Sequence, residues 1–163
     1  MTIRPIRDDE IEALSRLTVD VYTTLDGVVL PEEYVAELAD VEGRAEEGLV
    51  LVAVDDGGAV VGGIAYFDRP GLWAGMESAD QVELRMLAVA PQSQGRGVGT
   101  GLVAACIDQA RIDGMRQVLL HTTAFMTPAQ RLYERAGFRR QAERDIILDD
   151  GMVLLGYALD LDG

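Results

Sequence analysis

The sequence predicts an α/β (α+β) fold in which helices cover both faces of one mixed, mostly antiparallel sheet of seven strands. Three observations predict it. The candidate elements follow one another as strand, two helices, three strands, helix, strand, helix and two strands. Turn signals join two pairs of successive strands directly, which is typical of antiparallel hairpins. A helix separates the fourth and fifth strands, and such a connection favours a parallel pair with a right-handed crossover.

The N-terminal third is predicted to contain one strand and two helices. Residues 2–7 alternate between apolar and polar side chains, as strands do. Between Asp8 and about Leu25, apolar side chains recur at helical spacing, at Ile11, Leu14, Leu17, Val21 and Tyr22. The sequence Pro31-Glu32-Glu33 predicts a second helix that runs to about Glu47, because proline suits the first helical turn and acidic side chains suit the positive end of the helix dipole.

The centre of the chain is predicted to form the next three strands. Residues 49–54 and 59–67 are rich in valine, isoleucine and aromatic side chains, and Asp55-Asp56-Gly57-Gly58 between them is a hairpin signal. Residues 68–80 contain proline and glycines and are predicted as a loop. Residues 81–90 are predicted as the fourth strand, which stops at a proline because proline has no amide to donate to a sheet.

A glycine-rich turn and a helix are predicted between the fourth and fifth strands. The helix follows residues 94–99 and reaches about Asp113, where Gly114 ends it. Its apolar stripe consists of Leu102, Ala105, Cys106 and Ala110. Residues 117–123 are predicted as the fifth strand.

The C-terminal part is predicted to hold one helix and two strands. Thr127, Pro128 and Gln130 match a helix start with a capping box, in which the threonine and glutamine side chains bond to free backbone amides. Residues 138–148 and 152–160 are predicted as the last two strands, separated by an Asp-Asp-Gly turn.

The composition excludes several classes of function. The chain of 163 residues suits one domain over 1–163, and its net charge of −14 argues against binding to nucleic acid or to an anionic membrane. The acidic charge suits a cationic substrate such as an amine, although excess acid also serves solubility alone. No apolar run approaches the ~20 residues that span a membrane, and the N-terminus has no apolar core of a secretory signal.

Cys106 and His121 are the only cysteine and the only histidine. A single cysteine excludes a disulfide within the chain and fits a reducing compartment, so we expect a cytoplasmic protein. Zinc would need carboxylates to complete its ligands, and no such cluster is evident, so no metal is predicted. We interpret Cys106 as a core residue and His121 as structural, with a titratable role left open.

The segment from Gln94 to Thr100 leads from the fourth strand into a helix and has glycines at 95, 97 and 99. The first amides of a helix have no partners within it, and glycines let a ligand approach them closely. This predicts a site for a phosphate or diphosphate, with a tight turn without a ligand as the alternative. The segment is not a Walker A loop, because no lysine follows the glycines. It is not a dinucleotide-binding fingerprint either, because the third glycine of that pattern would fall on Thr100 or Leu102.

Two motifs resemble those of the GNAT family of N-acetyltransferases. Residues 82–91 followed by Gln94-x-x-Gly97-x-Gly99 look like the family's acetyl-CoA motif, R/Q-x-x-G-x-G/A. The segment Ala129-x-x-Leu132-Tyr133-Glu134-x-x-Gly137-Phe138 looks like its second signature. The order of elements over roughly residues 3–160 is similar too. The resemblance implies a GNAT-like sheet in which strands four and five are parallel and splayed, often at a bulge in strand four.

The resemblance also implies where acetyl-CoA binds. We expect its diphosphate on the amides of the glycine turn and its pantetheine arm along the fourth strand, like an added half-strand. The residues expected to bind the cofactor are Leu87, Ala88, Val89, Gln94, Gly95, Arg96, Gly97, Val98, Gly99, Thr100, Thr122 and Ala129. Met126 departs from the family pattern, which often has asparagine at that position.

Acetyl transfer to an amine needs a base, a group that stabilises the oxyanion, and an acid for the leaving thiolate. Tyr133 is the candidate acid, since the resemblance implies a position beside the cofactor sulfur; a core aromatic is the alternative. Glu83 is the candidate base, directly or through water, because related sequences carry a carboxylate at a similar place; a solvated ion pair with Arg85 is the alternative. The amide of Leu87 or of Val89 is the oxyanion donor.

The sequence and its resemblance together predict an N-acetyltransferase that passes acetyl directly from acetyl-CoA to a primary amine, in a small molecule or a peptide, within a ternary complex. Tyr22, Tyr34 and Trp73 are candidates for the acceptor pocket, and simple packing explains them equally well. One alternative is a non-catalytic acyl-CoA sensor of the same fold. A second is a nucleotide-binding enzyme, which the spacing of the glycines disfavours. Dimers are frequent in the family, so the resemblance leaves a homodimer open.

Overall fold

The computed structural model describes residues 1–24, 29–71, 78–124, 126–149 and 151–161. Within these ranges, five α-helices flank one sheet of eight strands. The helices are α1 (Ile11–Thr23), α2 (Glu32–Ala39), α3 (Val41–Glu47), α4 (Val98–Ile112) and α5 (Thr127–Arg135). The strands are β1 (Thr2–Pro5), β2 (Leu49–Val54), β3 (Val60–Phe67), β4 (Gln81–Val89), β5 (Gln117–Thr123), β6 (Arg139–Arg140), β7 (Ile146–Ile147) and β8 (Val153–Asp160). None of the described helices is long and apolar enough to span a membrane.

The sheet is antiparallel except at its centre. The strand order is β1-β2-β3-β4-β5-β8-β6, with β7 also paired to β8, and among the described strands only β4 and β5 run parallel. This confirms the predicted mixed sheet and its central pair. The parallel pairing is short, because Gln81–Leu84 pair with Gln117–Leu120 and β5 then continues only along β8. The two strands therefore separate beyond Leu84 and leave a gap in the sheet.

A β-bulge bends β4 where this gap begins. The pairing with β3 shifts between Gly63 and Ala65, so that two residues of β4, Met86 and Leu87, lie opposite one residue of β3. Met86 has a φ of 59°, a left-handed conformation that residues other than glycine rarely adopt. A bulge bends its strand and increases the local twist. The splayed pair and the bulge that the resemblance implies are therefore both present.

Apolar side chains are buried on both faces of the sheet. On one face, α1, α2 and α3 contribute Leu14, Leu38 and Val41 to a core cluster. On the other face, α4 contributes Leu102 and Cys106 to a second cluster, as its predicted apolar stripe requires. Burial of such surface contributes roughly 25 cal/mol per Å² to folding, and it fixes the helices on both sides of the sheet as predicted.

The helix predicted over residues 31–47 is interrupted. Asp40 leaves helical geometry, with φ −86° and ψ 63°, and its side chain accepts a hydrogen bond from the Gly43 amide at 2.9 Å. Aspartate competes with the helix for backbone amides and is therefore a favoured N-cap. Two short helices, α2 and α3, result.

The strand predicted over residues 138–148 is also interrupted. Arg140 donates to both carboxylate oxygens of Asp145 at 2.7 Å, and Asp145 accepts the Gly156 amide at 2.8 Å. These bonds stabilise a 3-10 turn at Ala142–Arg144 in place of a continuous ladder. The predicted sixth strand is therefore two short strands, and the sheet has eight strands rather than seven.

The capping box predicted at the start of α5 is wrong. Met126 occupies the N-cap position, Thr127 already belongs to the helix, and no side-chain cap is formed. Gln130 instead donates its amide to the carbonyl oxygens of Thr123 and Ala124, both at 3.1 Å. These bonds connect α5 to the end of β5, beside the gap in the sheet.

Candidate active site

A cavity occupies the gap between β4 and β5. Its described lining is Tyr22, Tyr34, Ile64, Leu84, Arg85, Met86, Leu87, His121, Thr122, Thr123, Met126, Ala129, Tyr133 and Leu154. The cavity thus brings together four of the predicted site residues, Leu87, Thr122, Ala129 and Tyr133. Tyr22 and Tyr34, two candidates for the acceptor pocket, line it as well, whereas the third candidate, Trp73, lies outside the described residues.

The glycine turn lies at the N-terminus of α4. Gly95 and Gly97 have φ of 79° and 81°, a region in which a side chain would be strained. A Cβ at either position would meet no atom within 4 Å, so the backbone there borders open space. Gly97 is the N-cap of α4, and the first amides of a helix have no partners inside it. The turn therefore has the geometry of an anion-binding site.

Polar side chains surround this backbone. Gln94 donates its side-chain amide to the carbonyl oxygen of Val89 at 3.2 Å, which connects the turn to the end of β4. Arg96 and Thr100 are exposed on the surface of the turn and the first turn of the helix. The guanidinium of Arg96 is thus accessible to an anion bound at the turn.

Val98 and Gly99 have a packing role instead. Both are buried, and a Cβ on Gly99 would lie 2.8 Å from the Leu132 side chain of α5. Real Cβ atoms do not approach other carbons so closely, so the absence of a side chain here lets α4 and α5 lie close together. Only the backbone amides of these two residues are available to a ligand.

The segment Leu87, Ala88 and Val89 follows the bulge on β4. Ala88 and Val89 pair with β3, while the described part of β5 does not pair with β4 beyond Leu84. Tyr22 of α1 donates its hydroxyl to the Leu87 carbonyl oxygen at 3.0 Å, which holds α1 against the bulge. The side of β4 that faces β5 is therefore free for an added half-strand.

The far wall of the cavity includes two buried threonines of β5. Thr122 is 8% exposed and Thr123 is 3% exposed. Among the described residues, Thr123 Oγ1 is the one buried side-chain nitrogen or oxygen without a hydrogen-bond partner. Leaving such a group unpaired costs about 1–3 kcal/mol, so this hydroxyl is open to a hydrogen bond with water or with a ligand. Thr123 was not among the predicted site residues, because successive side chains of a strand point to opposite faces and its place beside Thr122 therefore carries no signal.

Tyr133 of α5 contributes a buried phenol to the cavity wall. It is 6% exposed, and its ring packs edge-on against Phe138 with 5.9 Å between the centroids. Burial, and to a lesser extent the neighbouring Cys106, raises the pKa of Tyr133 well above its usual range. The phenol therefore stays protonated at physiological pH and has a proton inside the cavity.

Glu83 is buried beside His121. Its side chain is 3% exposed, and its Oε1 lies 3.8 Å from His121 Nδ1. His121 Nε2 lies 2.9 Å from the carbonyl oxygen of Arg144. Glu83 is therefore not solvated. Because His121 lines the cavity, its imidazole connects the buried carboxylate to the space where a substrate would bind.

Cys106 and Met126 both behave as apolar residues. Cys106 is fully buried, and burial raises the pKa of its thiol to about 12, so no thiolate forms at physiological pH. Met126 lines the cavity and packs against the cluster on the α1 face, so an apolar side chain occupies the position that often holds asparagine in the family. Among the described residues, no group of His, Cys, Asp and Glu side chains is placed to hold a metal ion.

Comparison with known sequences agrees with this geometry. A sequence model of the acetyltransferase (GNAT) family matches residues 11–138. A mycothiol acetyltransferase from Pseudarthrobacter chlorophenolicus is 36% identical over 115 residues, which cover 68% of this chain and 35% of that protein. The matched part of the chain thus spans about a third of the length of such curated relatives.

Solved structures share the fold. A GNAT acetyltransferase from Staphylococcus aureus Mu50 has a TM-score of 0.78 at 17% identity, and the alignment covers 99% of both chains. An acetyltransferase from Salmonella typhimurium, solved with acetyl-CoA, has a TM-score of 0.70 at 23% identity. The alignment covers 100% of this chain and 95% of that chain. At these identities the likeness shows the fold alone.

Proposed function

The chain belongs to the acetyltransferase (GNAT) family, and on that premise we propose that it transfers an acetyl group from acetyl-CoA to a primary amine. The observation that carries the proposal is the cavity in the gap between β4 and β5, which has a protonated phenol in its wall and a glycine turn at the end of β4. A long ligand with a diphosphate at one end and a thioester at the other fits this arrangement. The curated relatives named mycothiol acetyltransferase support a small-molecule acceptor.

Acetyl-CoA binds along β4. Its diphosphate lies on the amides from Gln94 to Thr100, where the glycines leave the backbone accessible. Its pantetheine arm pairs with the free side of Leu87–Val89, while Thr122 and Ala129 form the opposite wall. The Thr123 hydroxyl gains the partner that it lacks in the protein alone. The Salmonella typhimurium protein of the same fold holds acetyl-CoA, which supports this assignment.

The chemistry proceeds by direct attack of the amine. The alkylammonium, with a pKa of about 10, first loses a proton to the Glu83–His121 pair. The free amine then forms a bond to the thioester carbonyl carbon, and the amide of Leu87 or of Val89 stabilises the oxyanion. The carbon–sulfur bond breaks as the intermediate collapses, and Tyr133 gives its proton to the departing thiolate, so that coenzyme A leaves as a thiol. The nitrogen of the new amide loses its remaining extra proton by way of solvent, and Tyr133 regains its own proton by the same route.

A ternary complex is favoured over a covalent acetyl-enzyme. Cys106 is the only thiol of the chain, and it is fully buried with its pKa raised to about 12. A buried thiol without thiolate character is a poor nucleophile. Both substrates therefore have to bind before either product leaves.

The test is an assay of thiol release with acetyl-CoA and a panel of primary amines, followed by mass spectrometry of the product. We expect one equivalent of free coenzyme A for each acetylated amine, with initial-rate patterns that intersect, as in a ternary-complex mechanism. Coenzyme A affinity without turnover of any amine would instead support an acyl-CoA sensor of this fold. Calorimetry that detects no binding of coenzyme A to folded protein would overturn the proposal.

A further inference from the structure

The side chain of Tyr22 extends from α1 to the β-bulge of β4. Its hydroxyl donates to the carbonyl oxygen of Leu87 at 3.0 Å, across 65 positions of the chain. The residue is 7% exposed and lines the cavity. Burial raises the pKa of Tyr22 well above its usual range, so the phenol stays protonated and remains a donor at physiological pH. One wall of the cavity is therefore bonded directly to the backbone of the strand along which acetyl-CoA is proposed to bind.

The peptide group between Leu87 and Ala88 is held at both ends. At one end, the carbonyl oxygen of Leu87 accepts the hydroxyl of Tyr22. At the other end, Ala88 pairs with β3, and the amide of Ala90 donates to a carbonyl oxygen of β3 at 2.8 Å. Amides of alternate residues in a strand point to the same edge, so the Ala88 amide points to β3 too. Because a peptide group is planar, partners at its two ends fix its orientation.

The two amides proposed to bind the oxyanion flank this peptide group. The amide of Val89 points away from β3 and into the gap, since successive amides of a strand point to opposite edges and the next amide donates to β3. The amide of Leu87 lies on the other side of the same peptide group. Each neighbouring peptide shares a Cα atom with the one that Tyr22 holds, so a rotation of that peptide would turn both amides. Donors that stabilise an oxyanion have to be aimed before the reaction begins.

The bulge itself needs support from its surroundings. Met86 has a φ of 59°, and a residue other than glycine persists in this conformation only where its neighbours impose it. The pairing with β3 restrains the strand on both sides of the bulge, and the bond from Tyr22 restrains it from α1. Without that hydroxyl, the Leu87 carbonyl oxygen would lose this donor and would turn toward another one. The orientation of the bulge therefore depends on Tyr22.

We propose that Tyr22 is a positioning residue for acetyl transfer, and that by binding the Leu87 carbonyl oxygen it aims the amides beside the bulge at the carbonyl oxygen of the thioester. The inference rests on the proposed acetyl transfer and adds a residue of α1 to its machinery. Tyr22 forms no bond to the reacting atoms. Its ring borders the cavity, while its hydroxyl acts only through the backbone of β4. Loss of the hydroxyl should therefore affect the bound thioester and kcat more than the binding of the rest of coenzyme A.

The experiment compares two ligands that differ in one oxygen atom. Calorimetry is performed with acetyl-CoA and with S-ethyl-CoA, a thioether of similar size without the carbonyl oxygen. One hydrogen bond to that oxygen should make acetyl-CoA the tighter ligand of the wild type by about 3- to 10-fold. Tyr22→Phe keeps the ring and should remove this preference, while S-ethyl-CoA affinity stays within about threefold of the wild type. Replacement of Tyr22 by 4-aminophenylalanine, which donates from the same position, should restore the preference.

Kinetics give a second measurement that a purely structural tyrosine would not change. With an accepted amine, Tyr22→Phe should lower kcat by roughly 10- to 100-fold, while KM for the amine changes by less than about threefold because the ring remains. Tyr66→Phe is the control, since it removes a phenol that donates to Asp113 Oδ2 at 2.6 Å and does not line the cavity. It should keep both the ligand preference and kcat. All assays are made below the thermal unfolding midpoint of each variant.

The outcomes separate this inference from the proposed function. A preference for acetyl-CoA that is present in the wild type and lost in Tyr22→Phe supports the inference even if no amine is acetylated, in which case only the acetyl transfer fails. A preference and a kcat that both survive in folded Tyr22→Phe overturn the inference, even if the wild type acetylates amines. A wild type that binds the two ligands equally, or binds neither, also overturns it, whatever the stability of the variant.

Discussion

His121 Nδ1 lies 3.8 Å from Glu83 Oε1, while Nε2 of the same ring lies 2.9 Å from the carbonyl oxygen of Arg144. A carbonyl oxygen only accepts hydrogen bonds, so Nε2 must carry a hydrogen and donate it. Nδ1 would then place a lone pair toward a carboxylate unless a second proton lies on the ring or on Glu83. A proton that the pair accepts therefore lies between Nδ1 and the carboxylate, which suits the proposed role of the pair as proton acceptor.

The first prediction concerns Glu83 as the base. Glu83→Gln keeps the size of the side chain but removes its ability to accept a proton, so kcat/KM with amine acceptors should fall by roughly 100-fold. The measurement is kcat/KM from pH 5 to pH 10, with Glu134→Gln, an exposed carboxylate of α5, as the control. A profile that Glu83→Gln leaves unmoved removes Glu83 from the mechanism.

The second prediction concerns His121 as the residue that positions the base. His121→Gln retains a donor for the Arg144 carbonyl but cannot carry a charge, so Glu83 loses its proton-sharing partner. We expect kcat/KM to fall by roughly tenfold or more while coenzyme A affinity stays within about threefold of the wild type. A purely structural histidine would leave kcat/KM in place and change only thermal stability.

The third prediction concerns Tyr133 as the acid. Tyr133→Phe keeps the ring contacts with Phe138 and removes only the hydroxyl, so coenzyme A affinity should persist while kcat falls by roughly tenfold or more. Because burial raises the pKa of Tyr133 well above its usual range, the wild type should show no loss of activity from this phenol up to about pH 10. Turnover equal to the wild type would leave Tyr133 as a core aromatic only.

Tyr66 provides a matched control for that substitution. Its hydroxyl donates to Asp113 Oδ2 at 2.6 Å, and it is not among the residues that line the cavity. Tyr66→Phe therefore removes a phenol that is hydrogen-bonded at the surface of the same core cluster. It should lower stability by about 1 kcal/mol without lowering kcat.

The architecture was predictable because its signals are local. The run of residues 81–90, the glycine turn and the helix that follows lie within ~35 residues of one another, and a helical crossover implies a parallel pair. The roles within the cavity depend on contacts between distant parts of the chain. Glu83 alternates with Arg85, which left a solvated ion pair open beside the role of base, but pairing with β5 buries Glu83 and brings His121, 38 positions along the chain, beside it.

The interruptions were missed for a related reason. Helical spacing of apolar residues continues across Asp40. The helix breaks there because the Asp40 side chain accepts a hydrogen bond from the Gly43 amide, and this bond is a feature of the folded structure. Likewise the sequence after Phe138 predicts one strand, whereas in the structure two hydrogen bonds from Arg140 to Asp145 stabilise a turn within it. Side chains that compete for the backbone decide such points, and a pattern of apolar residues carries no information about them.

The last prediction separates ligand binding at the glycine turn from its backbone conformation. Gly97→Ala places a Cβ where φ is 81°, so the left-handed conformation alone costs about 1–2 kcal/mol of stability. The new methyl group meets no protein atom within 4 Å, so the substitution strains the backbone of the proposed diphosphate site without a clash inside the protein. We therefore expect coenzyme A affinity, measured by calorimetry, to fall by tenfold or more.

Gly58→Ala is the control that separates the effect of backbone strain from the effect on coenzyme A binding. Gly58 has a φ of 87° in the β2–β3 hairpin, and a Cβ there also meets no atom within 4 Å. The two substitutions should therefore reduce the free energy of unfolding by similar amounts, about 1–2 kcal/mol, since the backbone strain is alike. Only Gly97→Ala should weaken coenzyme A binding. If both variants bind coenzyme A as the wild type does, the amides of this turn do not hold the diphosphate, and the acyl donor must bind elsewhere.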